Sequence, residues 1–297
     1  MILAYALLLL SAPPVAAAAP PLAPAQSQAN VQMEHVSIRA IGSGDPVVLI
    51  PGLASPREVY DAIAADLARN RRVLLVQVNG FGGDAARGNV QGPVIACVVA
   101  DIAAYLRRER LKPAAVIGHS LGGVVGMRLA RDHAALVDRL MIVDALPFIG
   151  MLFRPDATVE TLRLVAEAMK ARMLAAASAA REASPDDPNV ATMSISAEGR
   201  RQVSAWGVAA DPQVVAQALV EDMAEDLRPD LPVIAKVPTT LLYAVPPPIA
   251  AQARALWTGA YAPAPAIRLV PVENSFHFIM LDQPERFARE VAAFLER

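Results

Sequence analysis

Residues 116–123 read Val-Ile-Gly-His-Ser-Leu-Gly-Gly, and within them Gly118-His119-Ser120-Leu121-Gly122 is a G-x-S-x-G pentapeptide. Its flanks restrict what the chain can fold into. An apolar run, Ala114 to Ile117, precedes it, and a helix-like stretch, Val124 to His133, follows. Strand and helix then meet in a sharp turn at Ser120, which holds the serine in a strained conformation with its hydroxyl exposed. Residues two before and two after the serine must be small, and Gly118 and Gly122 satisfy this. A serine so placed reads as a nucleophile.

The rest of the chain supplies a setting for such a turn. Val36 to Ile41, Val47 to Ile50, Arg72 to Val78, Leu140 to Val143, Thr239 to Val245 and Ile267 to Val270 read as further strands. Helical patterns fill Pro56 to Arg69, Val94 to Arg110 and Pro284 to Leu295; Val59, Ile63 and Leu67 recur at i, i+4, i+8. Near-continuous apolar strands between amphipathic helices predict an α/β fold with a mostly parallel sheet covered on both faces. Residues 146–230 break the rhythm. They hold no strand pattern and read as helices over Thr158 to Ala180, Ala197 to Trp206 and Pro212 to Leu227. This divides the chain into a core of residues 36–145 and 231–297 with a helical cap inserted at 146–230.

The N-terminus differs. Ile2 to Leu10 is an apolar run, too short to span a bilayer as a helix, and Ala23-Pro24-Ala25 offers an A-x-A cleavage site. Residues 1–25 read as a secretory signal and 26–35 as a disordered leader, so the expected location is periplasmic or secreted. The rival reading is an uncleaved N-terminal membrane anchor, because no lysine or arginine precedes the apolar run. The 27 basic and 29 acidic residues nearly balance and no basic stripe stands out, which argues against nucleic acid as a partner. The single cysteine, Cys97, lies in an apolar helical stretch and reads as a buried thiol. It excludes intramolecular disulfides and cysteine–histidine metal clusters. No cofactor or metal is expected.

A serine hydroxyl needs a base, and the base needs a partner that holds its tautomer. Of the four histidines, His35 precedes the sheet, His119 is the variable residue of the turn, and His133 ends the following helix. His277, in a loop after the last strand, is the one that can reach Ser120 from the C-terminal edge of a parallel sheet.

Pro51-Gly52-Leu53, the Ser120 pentapeptide, Asn79-Gly80-Phe81-Gly82-Gly83 and the His277 loop with Asp282-Gln283-Pro284-Glu285 together resemble the α/β-hydrolase superfamily. The similar branch is that of serine esterases and lipases with a helical cap, and the resemblance covers residues 40–297. It implies an oxyanion hole from the N–H groups of Leu53 and Leu121. The family usually places its acid after the strand that follows the cap. Here that position reads Tyr243-Ala244-Val245-Pro246-Pro247-Pro248, with no carboxylate before Glu273. Asp144, at the end of the strand after the serine, is the first substitute, as in some members of the superfamily. Glu273 and a serine–histidine dyad remain as alternatives. Asp144 also has a purely structural reading, as a cap at the start of the insertion.

Phe148, Met151, Leu152, Phe153, Met169, Met173 and Met193 give the insertion an apolar character. Most are expected to pack the cap onto the sheet; any that line the site would favour an apolar acyl or alcohol group. Trp206 and Trp257 fit either role. The leading expectation is a serine hydrolase of small apolar carboxylic esters that touches a membrane only through an uncleaved N-terminal segment. Amide, thioester, lactone and carbon–carbon cleavage are alternatives on the same fold. A non-catalytic binding protein on a hydrolase scaffold is the alternative of another class.

Overall fold

The computed structural model describes residues 29–154, 156–177 and 182–296. The apolar N-terminal run and its A-x-A site lie outside these residues. Eight strands, β1 (Ala29–Gln32), β2 (Val36–Gly42), β3 (Asp45–Ile50), β4 (Arg71–Val78), β5 (Ala114–His119), β6 (Val137–Val143), β7 (Thr239–Val245) and β8 (Arg268–Glu273), form one sheet. Its order is β1-β2-β4-β3-β5-β6-β7-β8. The β1–β2 and β2–β4 pairs are antiparallel, and every later pair is parallel.

Alternate residues of the central strands serve two separate cores. Val48, Ile50, Leu74, Val76, Val116, Leu140 and Ile142 face a cluster completed by helices α2 (Val94–Arg108), α3 (Leu121–Asp132) and α8 (Ala250–Tyr261). Val47, Leu49, Val73, Leu75, Ile117, Met141 and Val143 face the opposite cluster, with α1 (Asp61–Leu67) and α10 (Pro284–Leu295). Burial on both faces explains why these strands read as unbroken apolar runs.

Between β6 and β7 lie α4 (Val159–Ala176), α5 (Ala197–Ala209), α6 (Pro212–Ala224) and the short α7 (Leu231–Ile234). A last short helix, α9 (Ile279–Asp282), follows β8. Three of the helix starts carry side-chain caps of the expected kind: Thr158 on α4, Ser196 on α5 and Asp211 on α6. Glu221 docks α6 on the core, because its two carboxylate oxygens accept the Val94 and Ile95 N–H groups at 2.8 Å each. Those are orphan donors of the first turn of α2, so one carboxylate caps a helix and fixes the insertion together.

Part of the expected leader is ordered. Ala29–Gln32 form the edge strand β1, with Val31 opposite Ile38. Its polar sequence carries no strand signal of its own, and pairing with β2 supplies what its side chains lack. Cys97 is half-buried rather than buried; burial, then the nearby charges of Asp101 and Glu221, raise its thiol pKa.

Candidate active site

β5 ends at His119 and α3 begins at Leu121, which leaves Ser120 alone in the turn with φ 53° and ψ −123°. Left-handed backbone at a non-glycine residue is strained and persists only where the surroundings impose it. They do so here. The Ser120 N–H donates to the Val143 carbonyl at 2.9 Å, which extends the sheet through the turn. A Cβ added at Gly118 would collide with the Gly122 carbonyl, and one added at Gly122 would collide with the Ile50 carbonyl. The turn after β3 presses against the same place, since a Cβ at Gly52 would come 3.0 Å from Ser120 Cβ. Leu53, the next residue, is half-buried, and Leu121 is buried at the first position of α3. N–H groups in a helix's first turn have no intrahelical acceptor. Buried Tyr60 steadies the β3 turn by donating to the Ile50 carbonyl at 2.8 Å.

Asp144 follows β6 directly and also has a positive φ, 49°. Its N–H donates to the Leu242 carbonyl at 2.8 Å. Its Oδ1 accepts the Ala244 N–H at 2.7 Å, and its Oδ2 lies 2.8 Å from His277 Nδ1. The strand β7 thus contributes a backbone donor that orients Asp144, in place of a carboxylate of its own. Glu273 lies elsewhere: it is exposed and paired with Arg254. With Nδ1 engaged, Nε2 is the ring nitrogen of His277 left for other partners. Among the described residues Ser120 Oγ has no hydrogen bond; such contacts often tighten only with substrate in place.

His119 is fully buried under this pair. Its Nε2 donates to the His277 carbonyl at 3.0 Å, and its ring lies 4.6 Å from that of His277 and 4.7 Å from that of Phe278. Burial first, then the neighbouring His277, drives its pKa well below the ordinary imidazole range. It is therefore neutral, with its proton on Nε2, and acts as a spacer between the turn and the His277 loop.

The sequence matches the alpha/beta hydrolase family over residues 47–290. The chain belongs to the alpha/beta hydrolase family. It is 31% identical over 106 residues to an sn-1-specific diacylglycerol lipase of Xenopus laevis, a stretch covering 35% of this chain and 33% of the lipase. It is 33% identical over 110 residues to an uncharacterized protein of Mycobacterium tuberculosis, covering 37% of this chain and 31% of that one. The matched stretch therefore spans about a third of the length of these curated relatives. The solved enol-lactonase of Burkholderia xenovorans LB400 superposes with a TM-score of 0.66 at 23% identity, covering 88% of this chain and 96% of that chain. At that identity the likeness shows the fold.

In this hydrolase the His277 loop is held by the insertion. Phe278 N–H donates to the Met193 carbonyl at 2.9 Å. Asp282 Oδ1 accepts Ser194 Oγ at 2.6 Å and the Ile195 N–H at 3.0 Å, while Oδ2 accepts the Phe276 N–H at 2.7 Å. Asp282→Ala removes all three bonds. It is expected to lower kcat about tenfold or more with a smaller change in KM, and to lower the melting temperature by several degrees; steady-state kinetics and thermal melts check this.

Asp222, on α6, was not anticipated from the sequence, although it interrupts a readable apolar stripe. Val215, Ala218 and Asp222 are spaced i, i+3, i+7 and all three are buried. Burial first, then the charge of Glu225, pushes the Asp222 carboxyl up to about 7, opposed by the His277 charge. A raised folded-state pKa means that the folded chain holds a proton which the unfolded chain releases. Stability from this group is therefore present below the unfolded value of 3.8 and is lost as pH rises towards 7. Asp222→Asn is expected to gain about 2 kcal/mol relative to wild type between pH 5 and pH 8. Denaturant unfolding of both proteins at the two pH values checks it; a difference independent of pH contradicts it.

The apolar residues of the insertion divide. Phe148 is buried with Leu162 and Met223, and Met151 and Met169 pack against that cluster. Met173 packs against the α2–α3 core and Met193 against the opposite one. Leu152 and Phe153 depart from the expected inward packing and are exposed, at 61% and 51%. Trp206 lies beside Phe278, 5.8 Å between rings, whereas Trp257 is buried against Tyr243 in the core. Two open cavities, of about 270 and 300 Å³, lie away from Ser120; Arg71 and Leu295 line both. Neither contains Ser120, Asp144 or His277.

Proposed function

We propose that this protein hydrolyses carboxylic esters through an acyl-enzyme on Ser120. The observation that carries this reading is the 2.8 Å contact between Asp144 and His277, at the sheet edge where Ser120 is held in its strained turn. In the proposed mechanism Ser120 Oγ attacks the ester carbonyl while His277 Nε2 takes its proton. Asp144, fixed by the Ala244 N–H, keeps the other His277 proton on Nδ1 and stabilises the imidazolium. The N–H groups of Leu53 and Leu121 face the carbonyl oxygen as it gains charge, each contributing about 3 kcal/mol to lowering the barrier. His277 returns the proton to the leaving alcohol, and water, activated by the same nitrogen, releases the acid. The helical insertion roofs the site as a cap, and its apolar residues favour an apolar acyl or alcohol group.

Lipase and lactonase activities named for similar proteins fit an ester carbonyl as the reacting group. The apolar N-terminal run supports an exported enzyme. A panel of p-nitrophenyl esters of increasing acyl length, run on wild type and Ser120→Ala together, tests the proposal. Ser120-dependent turnover of at least one ester is expected. Turnover of anilides or carbon–carbon substrates with every ester inert contradicts it.

A further inference from the structure

Three carboxylates of the α6 region have different surroundings. Glu221 accepts two N–H groups of α2, and Glu225 pairs with Arg128 and Arg131 of α3. Asp222 sits between them, is only 8% exposed, and has no hydrogen-bond or ion-pair partner among the described residues. Its oxygens are not fully enclosed and look onto open space rather than packed core, and an unpaired acid on an otherwise buried helix face calls for a reason. An apolar residue would continue the stripe of Val215 and Ala218 without that cost.

The position of α6 supplies the reason. Val214 on α6 packs against Gly80, which follows β4 at the C-terminal edge of the sheet: a Cβ there would come 2.8 Å from Val214 Cγ2. Val215 and Ala218 belong to the same apolar cluster as Leu121, which adjoins Ser120. Beyond Asp222 the chain is tied to the segment that follows Asp144: Met223 packs with Phe148, and the Leu227 N–H donates to the Pro147 carbonyl at 2.8 Å. The inner stripe of α6 is thus turned toward the edge that carries Ser120 and His277, and its one polar member has an unused pair of acceptor oxygens.

We propose that Asp222 is the polar anchor of the substrate pocket, where an oxygen of its carboxyl group accepts a hydrogen bond from a hydroxyl or N–H group carried by the ester. This rests on the ester-hydrolase reading above and deepens it: the preferred substrate is an apolar ester with one donor group. A site built around a buried acceptor discriminates strongly against the analogue that lacks the donor, because the acceptor is then left unpaired. Glycerol-type and hydroxyacyl esters have the required chemistry.

The test compares matched pairs: p-nitrophenyl hexanoate against its 3-hydroxy and 6-hydroxy derivatives, and ethyl hexanoate against 2-hydroxyethyl hexanoate. In wild type, kcat/KM for at least one hydroxylated ester should exceed that of its parent by tenfold or more. Asp222→Leu should bring that ratio to within twofold of one. Asp222→Asn, which keeps an acceptor oxygen, should lie between, and it carries the test if the leucine variant does not fold. A merely structural role would move melting temperature but not the ratio. Ratios within twofold of one for every pair in wild type, or a ratio unchanged by both substitutions, overturn the proposal. Loss of all turnover in Ser120→Ala together with flat ratios rejects only the Asp222 assignment, whereas full turnover in Ser120→Ala rejects the reading beneath it.

Discussion

Alanine at Ser120 is expected to lower kcat for p-nitrophenyl butanoate on the order of 10⁴-fold or more, with an unchanged melting temperature. The size follows from the chemistry. Without the hydroxyl no acyl-enzyme forms, and water must attack a carbonyl polarised only by the two backbone donors. In serine hydrolases the members of the triad act as a unit, so removing one forfeits nearly the whole of its contribution. The fold should tolerate the change, because Ser120 Oγ holds nothing together among the described residues. The positive φ of Ser120 is imposed by the Val143 hydrogen bond and the flanking glycines rather than by the side chain. His277→Gln should fall as far. An enzyme that loses less than tenfold in Ser120→Ala uses another nucleophile.

Asp144→Asn should cost about 10³–10⁴ in kcat, while Glu273→Gln leaves it within twofold. An amide at position 144 can still accept from the Ala244 N–H through its oxygen, but it then offers His277 Nδ1 an NH₂ group. The imidazole must then turn its lone pair to Nδ1 and its proton to Nε2, which is the wrong tautomer for taking a proton from serine. Glu273 is exposed and held by Arg254, so its replacement removes a surface ion pair of little consequence. Steady-state kinetics on the two purified variants decides between them; the opposite ranking would reassign the acid.

Much of the fold was legible because one physical cause wrote it. Strands covered on both faces must be apolar at successive positions, and β7 and α10 could be bounded from the sequence alone as Thr239–Val245 and Pro284–Leu295. Elements stabilised by partners rather than by their own pattern escaped. β1 is a polar edge strand defined by its pairing with β2. α8 is an alanine-rich helix introduced by three prolines and lacks a strong apolar period. Arg71–Val78 and Arg268–Glu273 run further than their apolar centres, because backbone ladders extend past the buried residues.

The site was legible to the extent that function restricts local backbone. The Ser120 turn announces itself through glycine spacing. His277 follows from its place after the last strand. The Asp144 carboxylate has no local signature, and its nearness to His277 comes from the order β5-β6-β7 in the sheet. Asp282 and His119 depend on contacts 88 and 158 residues away in sequence, with Ser194 and His277 respectively. Their partners could not be named before the chain was folded, although the break that Asp222 makes in the α6 stripe was visible.

The nucleophile of the proposed reaction is Ser120, activated by His277. Incubation with a fluorophosphonate followed by peptide mass spectrometry tests it most directly. A single phosphonyl adduct on Ser120 is expected in wild type, with strongly slowed labelling in His277→Gln and none in Ser120→Ala. An unmodified Ser120, or an adduct on a different serine with ester turnover intact, would contradict it.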